Sequence, residues 1–328
     1  MKKIGLGIIG LGYVGKLHLR HSLKIPNVHH IAVSDLSRKA LNEAKNAGIK
    51  RIFANYEQLL KESNIDAVII ALPTHLHLQC AKQAAEAGKH ILLEKPIARN
   101  VEEAKEIVTT AQKNSVKLMM GYHLRFNKSL HELKTKMESG TLGDVEIAYA
   151  TFISSGPFFH RAESHAPLPV PEWWFNKKLT GGGALIDVGS HMINLLRWYF
   201  GEITDIKSYL GHRFKFDFED SAICFTRFES GTTAVITAGY FSQGYQLEIE
   251  FFGTVDHAFA QHRPGNRLVA ATQMLTTGTS EFYRPHFDEL QYFVNCLIKD
   301  SSPTPSGQDG LKDLEAIEQA YNNQIDLK

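Results

Sequence analysis

From Ile4 to about Gly121 the chain repeats one unit: a short apolar run, a break at glycine or proline, then a stretch with helical spacing. The runs Ile4–Ile9, His30–Ser34, Ala67–Leu72, His90–Glu94 and Val116–Met120 are short and apolar on both faces. Strands of that kind need cover above and below. Joined through helices they run parallel, so the pattern predicts a doubly wound α/β sheet. Between them, Leu76 to Ala87 has helical periodicity and stops at Gly88, the residue type that closes a helix.

Beyond Gly121 the texture changes. In Val145–Ile153, Ala222–Phe228, Thr232–Ala238 and Leu247–Phe252 apolar and polar residues alternate, which predicts an open, predominantly antiparallel sheet with one face turned outward. Arg213–Phe218 alternates in the same way and is read as a strand. A helix is expected from Ala184 to Phe200, ended by Gly201, and a polar turn at 301–307 separates two closing helices. Residues 154–180, rich in Pro, Gly, His and Trp, form a connection of a length that is either functional or disordered, and its two adjacent tryptophans argue for order. At 328 residues the chain exceeds one core. Two domains are expected, residues 1–122 and 123–328, with the last helix able to pack back on the first.

Charge narrows the partners. The 36 basic and 35 acidic residues leave no excess with which to neutralise nucleic acid or an anionic membrane. Cys80, Cys224 and Cys296 are far apart and sit among apolar neighbours, as buried thiols of a reducing compartment do. The first residues carry no membrane-length apolar run or cleavage signal, so the expected location is the cytoplasm.

The first apolar run opens into Gly10-Leu11-Gly12-Tyr13-Val14-Gly15. In a dinucleotide site of the Rossmann type the first glycine permits a tight turn, the second admits the pyrophosphate and the third packs helix on strand. Asp35 follows Gly15 by 20 residues, at the end of the second run, where a carboxylate binds the ribose hydroxyls. It would repel a 2′-phosphate. NAD is therefore preferred, while nearby Arg38 leaves NADP open.

Two further motifs carry chemistry. Ile91-Leu92-Leu93-Glu94-Lys95-Pro96 ends an apolar strand on a lysine, and ligands of open α/β sheets sit beyond those strand ends. In a partly desolvated cleft such a lysine can serve as a general base; taken alone it is more often a surface residue capping a strand and paired with an acid. Gly181-Gly182-Gly183 leads into a helix on which Asp187 and His191 are four residues apart, sharing one face among apolar neighbours. His75 and His77 lack the carboxylates or cysteines that would complete a metal site, so no metal is assigned.

These motifs, with Pro73-Thr74-His75-Leu76-His77 and Gly121-Tyr122-His123-Leu124-Arg125-Phe126, resemble the Gfo/Idh/MocA oxidoreductase family over nearly the whole length. The resemblance implies an N-terminal Rossmann domain and a C-terminal α/β domain whose open sheet builds homodimers or homotetramers. It implies Lys95, Asp187 and His191 as the catalytic trio, and Leu72, Pro73, Thr74, His77, Glu94 and Trp174 beside the cofactor. His123, Tyr240 and Tyr283 match substrate positions, and His160 is added because it lies in the long connection. Many relatives have Asp and Pro where this chain has Asn194 and Lys128; Asn194 can hydrogen-bond a hydroxyl but carries no charge. The implied activity is hydride transfer between NAD(P) and a secondary alcohol of a sugar, polyol or sugar derivative. A cofactor-binding regulator of the same fold and a reductase of non-sugar carbonyls remain the alternatives.

Overall fold

The computed structural model describes residues 3–158, 171–241, 245–263, 272 and 280–325. They divide into two compact units. The first holds the chain up to His123 together with residues 272 and 280–311, and the second holds the remainder.

In the first unit, β1 (Ile4–Ile9), β2 (Val28–Ser34), β3 (Arg51–Phe53), β4 (Ala67–Ile70), β5 (His90–Glu94) and β6 (Leu118–Gly121) form one six-stranded sheet in the order β3-β2-β1-β4-β5-β6. Every pairing is parallel. All residues of β1 and β4 are buried, as a sheet covered on both faces requires. Order reverses between β1 and β4, and the carboxyl ends of β1, β4 and β5 are neighbours there. Helix α1 (Tyr13–Ser22) follows β1, α2 (Arg38–Asn46) follows β2, and α3 is Tyr56–Leu60. Helix α4 (His77–Glu86) packs on α5 (Val101–Lys113) and on β5. Gly88 takes the left-handed φ of 69°. The outer strand β6 is covered: Met120 N–H donates to the Pro305 carbonyl at 2.8 Å, closing an edge that would otherwise invite pairing. Helix α9, Arg284–Lys299, belongs to this unit and packs on α1 and β1.

The second unit contains α6 (Lys128–Glu138), β7 (Val145–Ile153), α7 (Lys177–Thr180), α8 (Ser190–Phe200), β8 (Ile203–Gly211), β9 (Ser221–Phe228), β10 (Thr233–Gly239), β11 (Gln246–Gly253) and β12 (His257–His262). The closing helix α10, Gly307–Asn322, starts in the first unit and ends in this one. The second sheet has the order β12-β11-β7-β10-β9-β8. It is antiparallel except that β7 and β10 run parallel. Burial alternates residue by residue in β9, as expected of a sheet with one packed face. Its other face carries Ile147, Tyr149, Tyr209, Ile223, Phe225 and Phe259 exposed.

The expected elements differ in places: the strand read as Val116–Met120 spans Leu118–Gly121, and the one read as His30–Ser34 starts at Val28. Arg213–Phe218 forms turns, because Lys215 takes φ 58° and Phe214 N–H donates to Asp220 at 2.6 Å instead of joining a ladder. The helix read from Ala184 begins as a wider π-helical turn, Leu185–Gly189, before α8. Ala67–Leu72 stops pairing at Ile70, two residues early, which leaves Ala71 and Leu72 in the connection to Pro73. All three cysteines are buried free thiols. Among the described residues no helix is long and apolar enough to cross a membrane.

Candidate active site

In the first unit the glycine turn is built as its spacing implied. Gly10 has φ 91°, and a Cβ on it would stand 2.4 Å from the Ala71 carbonyl oxygen. A Cβ on Gly15 would stand 1.9 Å from the Gly10 carbonyl oxygen, so helix and turn touch through glycine alone. Gly12 differs, since a Cβ there would meet nothing within 4 Å. It starts α1 with no side-chain cap and no acid in the first turn. Unclaimed by an internal acid, that helix start fits an anionic group such as a pyrophosphate. Val14 and exposed Tyr13 form its first turn.

Asp35 ties the next strand end to this turn. Its two carboxylate oxygens accept the N–H groups of Leu11 and Ser37, each at 2.6 Å. Ser37 in turn caps α2, whose first residue is the exposed Arg38. The carboxylate thus sits where the glycine turn and the second helix start meet.

At the end of β4, Leu72 and Pro73 are half-buried and Thr74 is buried. His77 is enclosed, with Nε2 2.9 Å from the Leu72 carbonyl and Nδ1 3.0 Å from that of Pro96. Burial holds it below the usual histidine range against the pull of those carbonyls. A neutral ring donates from one nitrogen only. His77 therefore works as a strut between the β4 and β5 ends, beneath Leu72 and beside Lys95-Pro96. Glu94 accepts from or pairs with His18 at 2.7 Å, and Lys95 emerges half-buried just past the end of β5.

The structure joins residues that the sequence kept apart. The His123 ring stacks on His286 at 3.7 Å, His286 faces Tyr283 at 6.3 Å, and the Tyr283 hydroxyl meets that of Tyr13. His286 escaped notice because a lone histidine on a helix belongs to no motif.

In the second unit, the Gly181–Gly183 turn is held by Glu219. One oxygen of this buried carboxyl accepts Gly183 N–H at 3.0 Å, Leu185 N–H at 2.9 Å and the Tyr321 hydroxyl at 2.8 Å. Burial keeps Glu219 above the usual carboxylate range in spite of those donors. The turn it anchors presents Asp187, half-buried, whose Oδ2 accepts from the Tyr240 hydroxyl at 2.8 Å. Burial first, and Asp187 second, push the Tyr240 phenol well above its ordinary range, so it stays a donor. His191 follows in α8, buried, its ring 5.7 Å from Phe152. The sequence pointed to Tyr240 as a substrate position; its hydroxyl is engaged with Asp187 and the Gly183 carbonyl. Trp174 lies in a short 3-10 turn, Glu172–Phe175, against Trp173.

Asn194 is fully enclosed. Its Oδ1 accepts Arg125 Nε–H at 2.7 Å and its Nδ2 donates to Asp313 at 2.6 Å, while Asp313 also pairs with Arg197. The amide is thus spent on a buried polar network that supports α8. His160 lies outside the described residues.

Sequence models of two domains match: an oxidoreductase family with an NAD-binding Rossmann fold over residues 4–122, and a Gfo/Idh/MocA C-terminal domain over residues 130–257. The chain is 27% identical over 323 residues to myo-inositol 2-dehydrogenase of Thermotoga maritima, covering 93% of this chain and 91% of that one. It is 25% identical over 348 residues to scyllo-inositol 2-dehydrogenase (NAD(+)) of Bacillus subtilis, covering 99% and 97%. The fold matches that of scyllo-inositol dehydrogenase from Lactobacillus casei, a structure with bound NAD(H) and scyllo-inositol, with a TM-score of 0.80 at 24% identity, covering 98% and 97%.

Proposed function

Since this chain belongs to the Gfo/Idh/MocA oxidoreductase family, we propose that it is an NAD(P)-dependent dehydrogenase acting on a secondary alcohol of a sugar or an inositol-like polyol. One observation carries the reading. The open glycine turn after β1 and Lys95 after β5 stand at the same carboxyl edge of a sheet whose order reverses beside β1, the place where such folds bind ligands.

Gly10, Gly12 and Gly15, with Tyr13 and Val14, would hold the pyrophosphate, and Asp35 the adenosine ribose, which favours NAD over NADP. Leu72, Pro73 and Thr74 would flank the nicotinamide, with His77 and Glu94 fixing the strand ends below; Trp174 is a further candidate beside the cofactor. A bound nicotinamide supplies the hydride acceptor or donor. Lys95 takes the hydroxyl proton as general base, or returns it in the reverse direction. His191 holds the reacting oxygen by hydrogen bond. Asp187 orients it, and the Tyr240 O–H keeps that carboxylate aimed. His123 and Tyr283, linked through His286, would contact substrate, while Asn194 contributes through the Arg125 and Asp313 network.

NADH and NADPH titrations followed by a screen of inositols and sugars at 340 nm test this directly. Lys95→Ala should lower kcat by about 10²- to 10⁴-fold, the usual worth of a general base, with cofactor Kd little changed. Equal losses in both would remove Lys95 from its role, and no binding of either cofactor would refute the reading at its first step.

The exposed aromatic face of the second sheet supports a homo-oligomer. In register, Phe259, Glu250, Tyr149, Val235, Phe225 and Lys207 form one row across all six strands. Within it Tyr149, Val235 and Phe225 stand side by side, and an exposed apolar patch of this kind marks an association site. Phe225→Lys should shift sedimentation from an oligomer to a monomer; a monomeric wild type would end the proposal.

A further inference from the structure

His18 from α1, Glu94 from the end of β5 and Glu289 from α9 converge inside the first unit, each with one nitrogen or oxygen within 4.8 Å of the others'. Glu289 is wholly enclosed, and neither of its carboxyl oxygens has a hydrogen-bond partner. An ionised carboxylate there would stand undonated beside a second carboxylate, with its desolvation uncompensated. Burial first, and Glu94 second, push Glu289 well above the usual carboxylate range.

A shared cation would be another way to compensate the cluster. Ligands of a tetrahedral Zn²⁺ at about 2.0–2.1 Å sit roughly 3.3 Å apart. His18 Nε2 and Glu94 Oε1 are 2.7 Å apart, the separation of a hydrogen bond. The geometry thus favours a proton over a metal ion. A neutral Glu289 has an O–H to place, and the Glu94 carboxylate is an acceptor within the swing of its side chain. Glu94 is confined on another side by Gly121, where a Cβ would stand 3.0 Å from its carboxyl carbon.

We propose that Glu289 is a positioning residue for the dehydrogenase: as a neutral acid it donates its O–H to Glu94 and so fixes the strand end from which Lys95 projects. Glu94 is then held by two donors, His18 and Glu289, and packed against Gly121. Lys95, the next residue, inherits that rigidity. The inference rests on the reading of Lys95 as the base, since a misplacement of about 1 Å can cost 10²-fold in rate.

The experiment compares Glu289→Gln, which keeps a donor, with Glu289→Leu, which does not, in the full chain. The infrared difference between wild type and Glu289→Gln should contain the C=O stretch of a protonated carboxylic acid that shifts in D₂O. Glu289→Gln should retain most of kcat, and Glu289→Leu should lose about ten- to hundredfold in kcat with NADH Kd unchanged. No acid band, or the same loss in both variants, overturns the proposal. Zn²⁺ or Mn²⁺ bound stoichiometrically to the purified wild type and lost in both variants overturns it in favour of a cation. If the wild type turns over no polyol, the reading of Lys95 falls, and the infrared band alone decides whether Glu289 is the donor.

Discussion

Two glycine turns in this chain each start a helix, and they treat its first N–H groups in opposite ways. After β1, Gly12 begins α1 with no side-chain cap, no acid in the first turn and open space where a Cβ would be. After α7, Gly183 begins its helix under the Glu219 carboxyl, which takes the N–H groups of Gly183 and Leu185. Every helix start has such donors to satisfy. One start has no side-chain cap, while the other is given an internal acceptor. Glycine spacing alone therefore does not mark an anion site; what separates the two turns is where the internal acid bonds, since Asp35 takes the N–H of Leu11, ahead of the helix, whereas Glu219 takes those at the helix start itself.

The largest effects should come from glycines that touch carbonyls. Gly15→Ala would set a Cβ 1.9 Å from the Gly10 oxygen, and Gly183→Ala one 1.9 Å from the Glu219 backbone oxygen. Backbone cannot swing aside as a long side chain can, so each should cost about 3 kcal/mol or more. Trp173, Trp174 and Trp198 all lie in the second unit, so urea unfolding followed by fluorescence reads Gly183→Ala more directly than Gly15→Ala, which calls for circular dichroism. A wild-type midpoint for either variant would break the comparison, because it would mean the turn can yield.

Glu219 comes next. Glu219→Ala strands two N–H groups and the Tyr321 hydroxyl, at about 3 kcal/mol, whereas Glu219→Gln keeps an acceptor and should cost about 1 kcal/mol. The pH dependence has a definite sign. The folded chain holds Glu219 above its ordinary 4.5, so its contribution is full below that value and is lost as pH rises through the raised one. Thermal melts across that range should therefore show a slope that Glu219→Gln flattens. Equal stability for Ala and wild type would mean the carboxyl is not the acceptor that sets this turn apart.

How far the sequence could be read follows the same division between local and distant causes. β1 and β5 were legible to the residue because burial on both faces leaves no polar position in Ile4–Ile9 and only ends in His90–Glu94. Alternation located β7 but says nothing of direction, so its parallel pairing with β10 was invisible. Arg213–Phe218 alternates without a ladder partner, and Asp220 draws the backbone into a turn. A one-residue widening at Leu185–Gly189 has no compositional mark. Glu219 and Glu289 were missed because their partners are far away in sequence. Glu289 did leave a trace, as an acid on the stripe formed by Leu290, Phe293, Val294 and Leu297, where only a compensated or neutral carboxyl belongs.

The smallest expected effect is the sharpest test of the comparison. Gly12→Ala adds a Cβ that meets nothing within 4 Å, in a residue with φ −66°, so neither packing nor backbone strain opposes it. Folding stability should change by less than about 0.5 kcal/mol. If the open helix start is the pyrophosphate seat, that same methyl occupies the space the ligand's backbone approach requires, and NADH affinity should fall roughly tenfold, about 1.4 kcal/mol. The two readouts must separate: an unchanged urea midpoint with a weakened Kd. Should both stay at wild type, the cofactor does not close on Gly12, and the open turn differs from the Glu219-capped one in geometry but not in purpose.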